Sequence, residues 1–240
     1  MALLDGDIIA YTTAARAANG DCIDHDDLVG WVRGSVQEWA PRSFFNRYVL
    51  YMSDSSNFRM DIYPEYKANR KGQPKPKLLQ MVKDILHEEY QAIVVANHEA
   101  DDAIATAMYV KYEDETPVAV TTDKDFAQLE GWHWNPNKDD WPRYIDQNEA
   151  NYNLAIQALM GDSTDNIKGL PGIGVKKATK MLDAWIGEAQ EEDCDEPLII
   201  TGPEHATQIL YQRFYEEREE DWREQWDLNW AMVCLKTNAP

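Results

Sequence analysis

Four short apolar runs in this chain are each followed by acid, and that pattern restricts the available folds more than any other feature. Leu3-Leu4 leads into Asp5, and Tyr48 to Met52 into Asp54. Ala92 to Ala96 precedes Glu99, Asp101 and Asp102, and Val118 to Val120 precedes Asp123 and Asp125. Runs this short read as buried strands. Amphipathic stretches separate them. Residues 28–39 put Leu28, Val29, Trp31, Val32, Val36 and Trp39 at helical spacing, and residues 77–89 align Leu78, Leu79, Val82, Ile85 and Leu86 on one face. Ala100 to Tyr112 reads as a further helix. Strands alternating with helices predict an α/β architecture, a mostly parallel sheet flanked by helices.

In an open sheet of this kind ligands bind at the carboxyl ends of the strands. Four acid-tipped strands therefore predict one shared acidic pocket. Such a pocket is unfavourable alone, because two like charges at about 4 Å repel by roughly 4 kcal/mol at an effective dielectric of about 20. Divalent cations remove that penalty, and hard oxygen donors favour Mg²⁺, with Mn²⁺ as a substitute, over zinc. Two ions about 3.5–4 Å apart activate water, orient a phosphodiester and stabilise the leaving oxygen. A second reading stays open for each acid taken singly: Asp after a strand forms turns and caps helices, and Asp101 or Asp102 could cap the helix that begins there. His98 lies beside Glu99, but no histidine has metal-binding spacing with another.

The pattern changes near residue 150. Asn151 to Met160 predicts a helix, followed by a Gly-rich turn and a helix near 175–186. An acidic loop, Glu188 to Glu196, then leads to helices near 204–218 and 220–235; Leu198-Ile199-Ile200 is the only strand-like run. The expected division is an acidic α/β core over 1–150 and a helical module over 151–240. Asp162 and Asp165 form a D-x-x-D pair that suits either a helix cap or a cation. The run Gly169 to Gly174, followed by Val175-Lys176-Lys177, resembles a helix–hairpin–helix (helix-three-turn-helix) turn. Gly172 and Gly174 would let backbone N–H groups reach a phosphate at a helix N-terminus, with Lys176 and Lys177 adding charge. Such contacts ignore base sequence. An ordinary Gly-Pro loop is the alternative. Trp222, Trp226 and Trp230, at intervals of four, predict a packed helix face.

A formal charge of −20 weighs against a nucleic-acid partner. Two points offset it: acids that hold cations do not face the substrate, and the basic residues are bunched. Lys67, Arg70, Lys71, Lys75 and Lys77 form one cluster, and Lys168, Lys176, Lys177 and Lys180 another. Net charge bears on solubility and steering rather than on a local site. No apolar run approaches the roughly 20 residues that span a bilayer, and MALLDGD lacks the basic start of a secretory signal. Cys22, Cys194 and Cys234 are far apart with no CxxC, so a reducing, cytoplasmic setting is expected.

Five segments occur in series from about residue 3 to about residue 180: LDGD, SDSSNFRMDIYPEYKANR, HEADD, TTDKDF and GDSTDNIKGLPGIGVKKA. In this order they are similar to the motifs of the flap-endonuclease-like 5′-nucleases, which include phage 5′→3′ exonucleases and the nuclease domain of bacterial DNA polymerase I. The resemblance implies a PIN-like core. It implies that Asp5, Asp54, Glu99 and Asp101 make a first metal site with Asp102 beside it, and that Asp123, Asp125, Asp162 and Asp165 make a second. Asp7 is acidic where many relatives carry a neutral residue. The resemblance also places Arg59, Lys67 and Arg70 at the scissile phosphate and Tyr66 against a terminal base, roles that suit their chemistry. It implies a K⁺ site at the hairpin glycines. A gateway segment reads NRKGQPKPK here, with Gly72, Pro74 and Pro76 breaking any long helix.

The activity so implied is metal-dependent 5′→3′ hydrolysis of DNA, exonucleolytic or flap-directed, leaving 5′-phosphate. Its partners would be DNA with a 5′ end, nick, gap or flap, with RNA primers and replication proteins in addition, in a bacterial or phage-infected cytoplasm. Two rivals stay open: a related metal-dependent ribonuclease, and an inactive DNA-binding scaffold that keeps the hairpin.

Overall fold

The computed structural model describes residues 1–18, 24–192, 202–216 and 221–237, and no helix among these is long and apolar enough to cross a membrane. The first apolar run, β1 (Ala2–Asp5), is buried throughout and lies in the middle of a six-stranded sheet. From one edge the order is β3 (Ile93–Val95), β2 (Tyr48–Ser53), β1, β4 (Val118–Val120), β5 (Gly131–Trp134) and β6 (Arg143–Ile145). Every pairing is parallel except that of β5 with β6. After β1 the strand order runs first one way and then the other, so the switch point falls between β1 and β4. A ligand crevice is expected at that place in a doubly wound sheet.

Alternation along the strands feeds two apolar layers. Leu4, Leu50, Met52 and Val120 point to one face, where α1 (Gly6–Ala18), α2 (His25–Trp39) and, after the short α3 (Phe58–Ile62), α4 (Leu79–Tyr90) supply Ile9, Ala14, Val32, Trp39, Val82 and Leu86. Leu3, Tyr51 and Ala119 point to the other face and meet Ala103 and Ile104 of α5 (Ala100–Thr106), with Phe126. Gly6 lets α1 leave β1 abruptly. A Cβ there would lie 2.7 Å from the Tyr51 carbonyl oxygen.

The second half comprises α6 (Gln147–Met160), a two-stranded ribbon of β7 (Gly161–Asp162) and β8 (Ile167–Lys168), α7 (Val175–Glu192), α8 (Pro203–Glu216) and α9 (Arg223–Val233). Leu159, Leu170, Leu182, Leu210, Tyr211 and Trp226 form its core, with Trp222 and Trp230 partly buried against them. After α9 the chain doubles back to the sheet half. Leu235 N donates to Gln128 Oε1 at 2.9 Å, Gln128 Nε2 to Val233 O at 3.1 Å, and Thr106 Oγ1 to Lys236 O at 3.1 Å.

Several elements differ from the sequence expectation. The helix α1 was not marked by the pattern, because its buried side is mostly Ala10, Ala14 and Ala17 rather than a broad apolar stripe. The strands β5 and β6 were missed as well. They are short and carry Trp132, Arg143 and Tyr144 outward. The run at 92–96 is an edge strand with Val94 exposed, not a buried one. The helix expected to reach Tyr112 is α-helical only to Thr106 and continues as a π-turn over Ala107–Lys111. Part of the expected acidic loop belongs to α7, and its remainder, with the Leu198–Ile200 run, lies outside the described residues.

The ribbon β7–β8 depends on the close approach of Gly161 to Gly169. Gly161 has φ +67, and a Cβ on it would lie 2.2 Å from Gly169 N. Gly172 also has positive φ, at +73, but has open space around it. Gly161→Ala is expected to cost more than about 3 kcal/mol, because a backbone clash adds to the conformational strain, whereas Gly172→Ala should cost only about 1 kcal/mol. Denaturant unfolding of the two variants separates the cases; equal losses would contradict this account.

Candidate metal and phosphate site

Acids converge at the switch point. Asp5 ends β1 at 2% exposure, and its carboxylate accepts from Ile8 N at 3.2 Å and Thr121 Oγ1 at 2.9 Å. Thr121 Oγ1 in turn accepts from Asp123 N at 3.0 Å, which ties the ends of β1 and β4 together. Asp101 enters from the first turn of α5. Burial raises its carboxyl well above the usual range, and Asp5, Asp123 and Glu99 add to the effect. Burial, then Asp7 and Asp123, push Asp5 up to about 7. Three elements thus bring Asp5, Asp101 and Asp123 within strong mutual repulsion.

A second group borders the first. Asp125 is pushed up to about 7 by burial and then by Asp123, with Asp162 and Asp165 contributing. Asp162, at the end of β7, accepts from Lys124 Nζ at 2.9 Å and Thr164 N at 2.7 Å. Burial opposes its charge, but the Lys124 bond wins and holds its pKa below the usual value. Asp165 takes Arg70 as an ion-pair partner, with Lys67 Nζ at 3.5 Å. Glu99 and Tyr66 bridge the groups: the Tyr66 hydroxyl donates to Glu99 at 2.7 Å and lies 3.1 Å from Asp165 Oδ2, and Lys67 pairs with Glu99. Lys67 is held there by a left-handed backbone, φ 54, and by its N–H bond to Asp165 O at 2.9 Å.

The donor set is therefore carboxylate oxygen throughout, which suits a hard divalent cation. Among the described residues, however, no three of these side chains close on one point tightly enough to hold an ion. The expected single pocket is two adjacent acid groups, the second one clamped by Lys67, Arg70 and Lys124.

Four of the expected site residues are bonded within the fold. Asp54 lies on the same sheet edge, but its carboxylate closes a loop, accepting from Asn97 N at 2.8 Å, Ser56 Oγ at 2.7 Å and Ser55 N at 2.6 Å. Those bonds lower its pKa to about 2, and it borders a cleft lined also by Lys75, Lys77 and Lys83. Asp102 is fully buried on Arg59 (2.6 and 2.9 Å) and Lys236 N (2.8 Å), which engages both of its carboxylate oxygens inside the fold. Arg59, at 2% exposure, directs its donors to Asp102, Glu99, Met232 O and Cys234 O, which makes it a strut in this fold. Tyr66, at 4% exposure, is closed off from a base and serves to orient Glu99 and Asp165.

The turn before α7 leaves the Gly172 and Gly174 backbone open, with Lys176 exposed and Lys177 Nζ donating to Gly172 O at 2.9 Å. The segment between Arg70 and α4 is a short exposed connection without a long helix. Sequence reasoning passed over Lys124, although it stands between both acids of TTDKDF, and Lys83, which pairs with Asp7. Of the cysteines, Cys234 is unpaired; Cys22 and Cys194 lie outside the described residues.

Residues 26–150 match the family model of the 5′-3′ exonuclease N-terminal, resolvase-like domain. The chain is 32% identical over 151 residues to flap endonuclease Xni of Shewanella sp. (strain MR-4), covering 56% of each protein. It therefore spans little more than half the length of that relative. It is also 32% identical over 197 residues to a 5′-3′ exonuclease of Buchnera aphidicola subsp. Schizaphis graminum, covering 75% of this chain and 68% of that protein. Among solved structures it is similar to T5 5′-exonuclease with bound zinc, at TM-score 0.66 and 19% identity over 99% of this chain and 90% of that one. The catalytic core of Rad2 in complex with DNA substrate gives TM-score 0.54 at 11% identity, over 100% and 80% of the two chains. At these identities the structures establish the shared fold.

Two outcomes follow from the geometry. Asp5 and Asp125 hold protons in the fold at pH values where the unfolded chain has lost them. Chelator-treated protein should therefore be most stable below about pH 4 with respect to these groups and lose that stability as pH rises through about 7. A divalent cation should restore it, visible as a Tm increase on the order of 5 °C at neutral pH. A Tm that rises with pH across that window in chelator would contradict the assignment. Separately, Arg59→Ala leaves Asp102 buried and unpaired and should cost roughly 3–5 kcal/mol. Adding Asp102→Ala should cost much less than a second such loss, as a double-mutant cycle would read.

Proposed function

The chain belongs to the 5′-3′ exonuclease family, and from that premise we propose that it is a divalent-metal-dependent nuclease cutting DNA phosphodiesters at or near a 5′ end. The observation that carries this reading is the convergence of Asp5, Asp101 and Asp123 on the switch point, where no hydrogen bond compensates Asp101. Carboxylates crowded in this way are stable when cations share them.

Asp5, Glu99, Asp101 and Asp123 would hold one cation, and Asp125, Asp162 and Asp165 another. Bound Mg²⁺ or Mn²⁺ supplies charge neutralisation and Lewis acidity toward water and phosphate. The protein's own groups do the rest. Lys67 and Arg70, paired with Glu99 and Asp165, stand where they can transfer their charge to a phosphate oxygen as negative charge develops. Tyr66 and Arg59 fix Glu99 from behind.

We assign residues 1–150 to catalysis and residues 151–240 to duplex binding. In the latter, the Gly172–Gly174 backbone and Lys176 with Lys177 would take a DNA phosphate, with K⁺ shared at the glycines. The substrates are DNA with a 5′ end, nick, gap or flap, and the product keeps the 5′-phosphate. The basic cleft of Lys75, Lys77 and Lys83 beside Asp54 supports a path for a single strand.

Asp101→Asn should lower cleavage of a 5′-labelled DNA flap by at least about 10³-fold while leaving DNA binding intact, because only the charge that binds cation and transition state is removed. The assay compares Mg²⁺, Mn²⁺, Ca²⁺ and chelator, with a matched RNA flap alongside. Near-normal cleavage by the variant, or full cleavage in chelator, would overturn the proposal; preference for RNA would favour the ribonuclease rival.

A further inference from the structure

The rim holds a further cation, Lys124, to which neither the sequence motifs nor the family resemblance gave a role. It starts a 3-10 turn directly after β4, between Asp123 and Asp125. Its side chain reaches from the sheet half to the ribbon, where Nζ lies 2.9 Å from Asp162 Oδ2 and 3.9 Å from Asp125 Oδ1. It is thus an ion-pair link between β4 and β7. Yet 59% of that side chain is exposed, so it can leave the acids for solvent without displacing packed atoms.

Charge compensation at the two acid groups is unequal. In the first, Asp5 is satisfied only by neutral donors, Ile8 N and Thr121 Oγ1. Asp101 is raised mainly by burial and by acids, and Lys67 offsets this only in part. In the second, Lys124 holds Asp162 and approaches Asp125, while Arg70 and Lys67 hold Asp165. A divalent cation entering between Asp125 and Asp162 needs the oxygens that the ammonium already occupies.

We propose that Lys124 is a resident counter-ion of the second acid group, keeping Asp162 and Asp125 assembled in the absence of a divalent cation and competing with one for their oxygens. The inference rests on the metal-nuclease reading above. It makes Lys124 a positioning residue, one that acts through the carboxylates. It also makes the second group the weaker of the two for cations: in the first, Lys67 and Arg59 hold Glu99, but among the described residues no ion pair occupies Asp5, Asp101 or Asp123.

The test is calorimetric titration of the full chain with Mn²⁺, for wild type, Lys124→Met and Lys124→Arg, with Lys124→Gln as a second neutral variant. Circular dichroism checks that each is folded. Wild type is expected to bind in a tighter and a weaker class. Lys124→Met should strengthen the weaker class about tenfold and leave the tighter class within about twofold, because one competing charge is lost. Lys124→Arg should keep the wild-type pattern. In chelator the Met variant should melt below wild type, and saturating Mn²⁺ should bring the two together, a crossover that a purely structural link would not produce. If both neutral variants bind Mn²⁺ as wild type does, or more weakly, the inference fails alone. A wild-type protein that takes up no Mn²⁺ and cleaves nothing with any divalent cation removes the underlying reading and the inference together.

Discussion

The bond between Arg59 and Asp102 is the interaction on which the rest of the molecule leans. All five donor positions of the guanidinium are used: two on Asp102, one on Glu99, and one each on the Met232 and Cys234 carbonyls. Asp102 answers with a further bond from Lys236 N. One ion pair thereby joins α3, the start of α5 and the returning C-terminal segment. A buried pair of this kind is a weak source of net stability but a strong constraint on geometry, because removing either partner strands a charge in a dry interior. What it constrains here is Glu99, whose carboxylate is held from below by Arg59 and from the side by Tyr66 and Lys67.

Above that strut lies the opposite situation, a rim where like charges outnumber their partners. The protein tolerates it by unequal means. Around Asp5 and Asp101 the strain appears as carboxyls raised toward neutrality; around Asp162 and Asp165 it is met by lysine and arginine. The net charge of −20 is therefore a poor guide to the local surface. The basic side chains proposed to meet a phosphate, Lys67 and Arg70, are the ones paired with Glu99 and Asp165.

Much of this was legible in the residues. The apolar runs at 3–4, 48–52 and 118–120 are strands, and the acids after them face a common edge. The helical faces at 28–39 and 77–89 pack against the sheet as their periodicity indicated, except that Trp31 is exposed. Trp226 and Trp230 stack at 5.6 Å within a packed helix face. The bonds that the residue pattern did not announce share a cause. Asp54, Arg59, Tyr66 and Asp102 all carry side chains suited to a functional rim, and their motif spacing is right. Apart from the two serines beside Asp54, their partners come from residues 33 to 175 positions away, and no local pattern reports those. Asp54 was the one case where the plain turn-forming alternative described the local bonds well.

The sequence by itself determined the layer architecture, the edge on which the acids gather and the chemistry of their oxygen donors, because strand period, burial and side-chain type are local properties. Tertiary structure decided which acids stay free to share a cation and which are consumed by the fold. That choice depends on distances between segments far apart in the chain. The C-terminal segment reaches back to take two of Arg59's donors, and Lys124 spans from one half of the molecule to the other, by contacts that exist only once both halves are packed.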